Sequence, residues 1–267
     1  MQKNNLQPIS KAELIEKFRE IEQRGWILNT RRGNDGAVGN VLEDLLGIPE
    51  NNLPIPNAAE WELKAQRKNT TALLTLCHME PSPRAMKIVT DILLPKYGWR
   101  HKKAGIKYPA DEMSFRATLN ARYFTDRGFR LNVNREEQRV EVGFEMSECS
   151  EKHEDWLRSV EIRNENAAAF SLIPYWGFYD LFAKVGAKLT NCFYVQADTK
   201  VENRKEYFHF NKVFMLKDLN LYKFIDCIEN GKVYADFDAR TGHNHGTKFR
   251  IHYQDIPLIY DSVSEVL

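Results

Sequence analysis

Pro56-Asn57-Ala58-Ala59-Glu60-Trp61-Glu62-Leu63-Lys64 is the most informative stretch of this chain. Residues 60–65 alternate as a strand does, with Trp61 and Leu63 pointing one way and Glu60, Glu62 and Lys64 the other. Glu62 and Lys64 therefore emerge on one face about 7 Å apart along the chain. A metal-dependent phosphodiesterase needs that pairing: the carboxylate holds a hard divalent cation, and the lysine steadies the attacking water or the developing phosphorane charge. The triplet alone is a weak signal. Asp198-Thr199-Lys200 repeats the pattern, and either could be a solvated strand face carrying an ion pair.

The flanks add context. Pro54 and Pro56 bracket a turn, and residues 37–46 form an amphipathic helix with Val38, Val41, Leu42 and Leu45 as its stripe and Gly47 as its stop. Glu43 lies on that helix beside Asp44, among apolar neighbours, where a carboxylate calls for a partner. Upstream, a basic glycine-rich loop over residues 30–36 holds Arg31, Arg32 and Gly33. Before it, Ser10 and Glu13 have capping-box spacing for a helix that carries Leu14, Ile15, Phe18 and Ile21 and stops at Gly25. Downstream, strands are expected at 71–78, within 114–145, and at 192–201, 207–215, 233–237 and 249–253, the last closing the chain. Turns are expected at 126–128 and 134–138. Helices are expected at 84–94 (ended by Pro95), 177–189 and 219–229. The class is mixed α/β (α+β).

Composition narrows the functional classes. The 267 residues include 15 Phe, 11 Tyr and 5 Trp, which supports a packed core rather than disorder. Lys and Arg total 38 against 37 acidic residues, so a nucleic-acid surface has to be a local patch. The four cysteines are widely separated with no CxxC pair, which removes zinc spacing and makes a disulfide framework unlikely in a chain of this size. Met1 to Pro8 is polar with no apolar run behind it, and no stretch is long enough for a bilayer. A cytoplasmic, membrane-free protein is expected.

Several separated blocks together resemble one family. Residues 39–48, Asn51-Asn52, Pro56-Asn57 and Trp61-Glu62-Leu63-Lys64 look like the active-site block of the MvaI/BcnI restriction endonucleases, MutH-related enzymes built on the PD-(D/E)xK nuclease core. Asp236-Phe237-Asp238-Ala239-Arg240 and residues 242–251 resemble the family's DNA-recognition strands. Residues 198–203 and 207–210 are also similar. The resemblance implies a mixed sheet flanked by helices and a second, DNA-recognition lobe, with residues 1–165 mainly catalytic and 166–267 mainly recognition, the two lobes interleaving and clasping duplex DNA.

Carried over by position, Glu62 and Glu43 become metal ligands, Glu43 as the supporting acid, and Lys64 the catalytic lysine. Asn57 stands where the family has its metal-binding aspartate. An amide keeps the shape of a carboxylate but loses the charge that draws in Mg²⁺. Three readings stay open: an Asp-to-Asn change that blocks cutting and spares binding, which the one-atom swap favours; recruitment of Glu60; or a degenerate nuclease that only binds. Arg240 and Arg250 are expected to pair with guanine O6 and N7, and Asp236 or Asp238 to accept from a cytosine amino group. His243 and His245 are expected to reach base edges, since no third ligand completes a metal set beside them. Arg31, Arg32 and Lys68 are the phosphate-contact candidates, ahead of the basic run at 100–107.

The function so implied is a type II restriction endonuclease. It would hydrolyse duplex DNA at a short C/G-rich pseudopalindrome with Mg²⁺, with Mn²⁺ or Ca²⁺ substituting in binding. It would act as a monomer that nicks each strand in turn, with no obligate protein partner and a cognate DNA methyltransferase in the same system. The alternatives are a cleavage-deficient sequence-specific DNA-binding protein and a MutH-like nicking repair endonuclease.

Overall fold

The computed structural model describes residues 9–31, 36–48, 60–68, 70–164, 166 and 170–267. Arg32, Gly33, Asn51, Asn52, the turn around Pro54 and Pro56, and Asn57 lie outside these residues. In chain order the elements begin α1 (Lys11–Gln23), β1 (Ile27–Leu28), α2 (Ala37–Leu46), β2 (Glu62–Arg67), β3 (Leu73–His78), α3 (Leu94–Tyr97), β4 (Trp99–Arg100), β5 (Met113–Leu119), β6 (Arg127–Asn134) and β7 (Arg139–Cys149). They continue α4 (Glu154–Arg163), β8 (Tyr175–Gly177), α5 (Phe178–Leu189), β9 (Asn191–Glu202), β10 (Lys205–Leu219), α6 (Leu221–Glu229), β11 (Val233–Arg240), β12 (His243–Asn244), β13 (Lys248–His252) and β14 (Tyr260–Glu265).

Two compact units share the chain. The first comprises Met1–Ala72, Val185–Asn220 and Ile259–Leu267, and the second Leu73–Lys184 and Leu221–Leu258. The sequence expectation of 1–165 and 166–267 anticipated interleaving, but the chain crosses between units at four points rather than near 165. Each unit assembles its sheet from strands far apart in sequence, so no single cut separates them.

In the first unit the sheet runs β1-β10-β9-β2, with β14 also on β10. β2 and β9 are parallel, in register Glu62 with Cys192 and Lys64 with Tyr194. The expected capping box forms at the start of α1: the Glu13 backbone N–H donates to Ser10 Oγ, and the Ser10 N–H donates to Glu13. Leu14, Phe18 and Ile21 of α1 and Val38, Val41, Leu42 and Leu46 of α2 join Trp61, Leu63, Phe193 and Phe208 in one core. Trp61 stacks tilted on Phe193 at 4.6 Å. Burying each such side chain stabilises by roughly 1.5–3 kcal/mol. Two consequences matter for function: α2 packs on β2, and Trp61 and Leu63 pin one face of β2 to the core.

In the second unit a sheet of order β3-β13-β11-β5-β4, with β12 on β11, accompanies a smaller sheet β6-β7-β8. The smaller sheet's aromatic residues Phe129 and Phe144 pack with Tyr97 and Trp156. Two expectations need correction here. Residues 84–94 are not one helix. A 3-10 turn (Arg84–Met86) precedes a helical run in which a π turn (Val89–Leu93) passes directly into α3, so Pro95 lies inside the run and does not end it. The turn expected at 126–128 forms, closed by the Gly128 N–H donating to the Thr125 carbonyl at 2.9 Å, and a bulge follows it at the start of β6. The chain does not close at 253 but continues into β14, in the first unit. Among the described residues, no helix is long and apolar enough to cross a membrane.

Candidate functional site

Strand parity and core anchoring place Glu62, Lys64 and Gln66 on the face of β2 opposite Trp61 and Leu63. Glu62 is only 2% exposed. Lys64 Nζ lies 2.7 Å from Glu62 Oε1 and donates a hydrogen bond to it. Glu62 Oε2 is buried and accepts no hydrogen bond from the described residues. A carboxylate taken out of water with one oxygen unsatisfied is costly, because the ammonium compensates only one side of it.

The surroundings register that charge. Burial pushes the Cys192 thiol up to about 12, with Lys64 acting against the rise and Glu62 adding to it. Tyr260, whose hydroxyl donates to the Leu189 carbonyl at 2.8 Å, is pushed well above its ordinary value by burial, then by Cys192 and Glu62. Neither Cys192 nor Tyr260 stands out in the sequence as a neighbour of Glu62. The parallel pairing of β2 with β9 and the return of β14 bring them there.

The oxygen left open on Glu62 suits a hard cation, which takes oxygen donors. Among the described residues no group of three His, Cys, Asp or Glu side chains forms a complete ligand cage. Mg²⁺ does not require one, since it is held by one or two carboxylates together with water and substrate phosphate oxygens. Glu43 is half-buried on α2, the helix that packs on β2, and Glu60 is exposed just before the strand.

Of the expected phosphate contacts, Arg31 and Lys68 are engaged within the protein, and Arg32 lies outside the described residues. Arg31 forks onto Asp44, Nε to Oδ2 at 2.9 Å and Nη2 to Oδ1 at 2.7 Å, which holds the Asp44 carboxyl below its ordinary value. Lys68 pairs with Asp198 at 3.2 Å. Arg67, outside the expected set, forks onto Glu206.

A second constellation occupies one face of the β3-β13-β11-β5 sheet. Val233, Ala235, Phe237 and Ala239 of β11 are buried, so Tyr234, Asp236, Asp238 and Arg240 share the other face. Asp236 accepts from Thr118 on β5 at 2.8 Å and from Arg250 on β13 at 3.0 Å. Asp238 pairs with Arg116 on β5 at 2.6 Å and with Lys248 on β13 at 3.9 Å. Arg250 also donates to the Leu73 carbonyl at 2.7 Å. Arg240 donates to the buried Glu112 at 3.0 Å and lies over the Tyr108 ring at 4.7 Å. His243 and His245 sit edge to face at 4.2 Å, and the His245 N–H donates to the Asp238 carbonyl.

Asp236, Asp238, Arg240 and Arg250 thus fall on one face, as expected. The sequence reading missed Arg116, Thr118 and Lys248. The alternation Ser114, Arg116, Thr118 was visible, but the partner of β5 lies more than a hundred residues away, and nothing local announces it.

Comparison with known proteins now adds the following. The model of the MvaI/BcnI restriction endonuclease family matches residues 15–260. A solved structure of a restriction endonuclease MvaI–cognate DNA substrate complex matches with TM-score 0.74 and 23% identity, covering 97% of this chain and 99% of that one. A structure of MvaI in the absence of DNA matches with TM-score 0.56 and 22% identity, covering 95% and 98%. No match is found among curated proteins. At these identities the structural likeness is one of fold.

Proposed function

The chain belongs to the MvaI/BcnI restriction endonuclease family, and we propose that it binds duplex DNA and hydrolyses its phosphodiesters at a short C/G-rich pseudopalindrome with Mg²⁺. The observation that carries this reading is the Glu62–Lys64 pair, with its buried, unsatisfied Oε2. Glu62 would hold the ion, with Glu43 supporting it from α2. When bound, the ion supplies Lewis-acid stabilisation of the phosphate and lowers the pKa of water. Lys64 has the other task. Its ammonium, fixed by Glu62 and one-fifth exposed, is placed to donate to the attacking water or to a phosphorane oxygen as charge develops. Trp61 and Leu63 hold the strand, so little reorganisation is needed at that moment.

Duplex recognition is assigned to the face carrying Asp236, Asp238, Arg240 and Arg250, with His243 and His245 beside it. Arg31 and Lys68 would exchange internal partners for phosphates, with Arg32 as a further phosphate contact. A single active site facing an asymmetric centre suits a monomer that nicks the strands in turn, and a restriction enzyme requires a cognate methyltransferase to protect its host. Asn57 is the departure. Without a carboxylate there, cation affinity and cleavage are expected to fall sharply, and this is what favours a cleavage-deficient DNA-binding protein as the second reading.

The test is plasmid cleavage with Mg²⁺ by this chain and its Asn57→Asp variant. Discrete fragments from the aspartate form alone would identify an inactivated restriction enzyme. Cutting by both would assign the missing ligand to Glu60. Cutting by neither, with DNA still bound, would overturn the nuclease reading in favour of the binding protein.

A further inference from the structure

Three arginines of β5, β11 and β13 share the recognition face, and they differ in which guanidinium nitrogens are engaged. Arg250 has both terminal nitrogens engaged, Nη1 on Asp236 and Nη2 on the Leu73 carbonyl, and its Nε is buried without a partner among the described residues. Arg240 is tied through Nη1 to Glu112, which is 4% exposed, and its guanidinium plane is covered on one side by Tyr108. Arg116 is different. Its side chain is 49% exposed, its Nε is ion-paired with Asp238 Oδ1 at 2.6 Å, and Asp238 is the one partner of its guanidinium among the described residues. Asp238 is itself steadied from the opposite strand by Lys248.

We propose that Arg116, aimed through its Nε by Asp238, reads a guanine of the target site with Nη1 and Nη2 on O6 and N7. The proposal rests on the reading of this sheet as the duplex-recognition face. Guanidinium geometry supports it. Two parallel N–H donors match the acceptor pair on the major-groove edge of guanine, and a carboxylate behind Nε removes rotamer freedom that would otherwise oppose the contact. An exposed ion pair contributes little to stability, so Arg116 is dispensable to the fold. Asp238 then acts as a positioning residue rather than as an acceptor for cytosine, because both its oxygens already face cations. Arg240 and Arg250 are left chiefly to brace the sheet.

The test begins by selecting bound duplexes from a random-sequence pool with Ca²⁺ present. Each guanine of the selected site is then replaced by 7-deazaguanine, which lacks the N7 acceptor. The unaltered protein should lose roughly 10- to 100-fold in affinity at one guanine. Arg116→Ala should bind the normal and deaza duplexes equally at that position, and Arg116→Lys, which lacks the paired donors of the fork, should show a smaller penalty than the unaltered protein. The lysine variant keeps the charge and the Asp238 pair, so its affinity for unrelated duplex should stay within about twofold, which separates a lost guanine contact from a lost fold. If both variants kept the full deaza penalty at every guanine, Arg116 would not be the reader, although site-specific binding would stand. If no sequence were enriched, the recognition reading would fall, and this proposal with it.

Discussion

In a background with aspartate at position 57, Lys64→Ala is expected to lower cleavage by about 10²- to 10³-fold, the usual cost of removing one preorganised donor to developing charge. Duplex affinity should change by less than about threefold, because the side chain is largely enclosed beside Glu62 rather than displayed on the surface. Cleavage rates and gel-shift titrations measure the two separately. Cutting that survived the change would move the active site elsewhere. Both residues of this pair were legible in the sequence, since strand parity alone puts Glu62 and Lys64 on one side and Trp61 and Leu63 on the other. That one carboxylate oxygen is satisfied and the other is not was invisible there, because it depends on Cys192, Tyr260 and the packing around them. The arginines show the same boundary. Asp-x-Arg at 238–240 drew attention to Arg240, but Glu112 and Tyr108 engage it, while Arg116 stands opposite Asp238.

Helix signals that act within a turn were the most readable. The Ser10–Glu13 box and the stop at Gly47 place α1 and α2 close to their observed limits. Gly47 ends α2 at φ 71°, with nothing among the described residues within 4 Å of the position a Cβ would take. Gly47→Ala should therefore cost only the left-handed backbone conformation, about 1 kcal/mol, and lower the melting temperature by roughly 2–4 °C. An unchanged melting temperature would show that the α2 terminus relaxes freely. Elements shaped by distant contacts were misread or missed. Pro95 reads as a helix stop, but the helical run that contains the π turn passes through it. α4 and β14 carry weak local patterns, and β14 is a strand because Leu219 and its neighbours on β10 offer it a pairing edge.

Acid should destabilise the folded chain through its paired carboxylates. Asp198, bonded to Asn211 and then Lys68, is held below its ordinary value; so are Glu206 by Arg67 and Asn29, Asp126 by Lys152 and His153, and Asp44 by Arg31. Folding thus favours their ionised forms. The stabilisation is present above their unfolded values near ~4 and is lost as pH falls through the lower folded ones. Melting temperature against pH should be level from about 7 to 5 and decline below about 4, with a shallower decline in Glu206→Gln. A level curve down to about pH 3 would contradict these pairings.

The mixed class, the two leading helices and the Glu62–Lys64 face follow from the order of residues, because caps, glycine stops and strand parity are properties of a few neighbouring positions, and the family was legible through the resemblance of several separated blocks. Folding in three dimensions assigned the rest: β2 beside β9, β5 beside β11, the division of the chain between two units, and which cations are engaged and which remain free. Sheet register joins residues separated by a hundred positions or more, and no local preference carries that information.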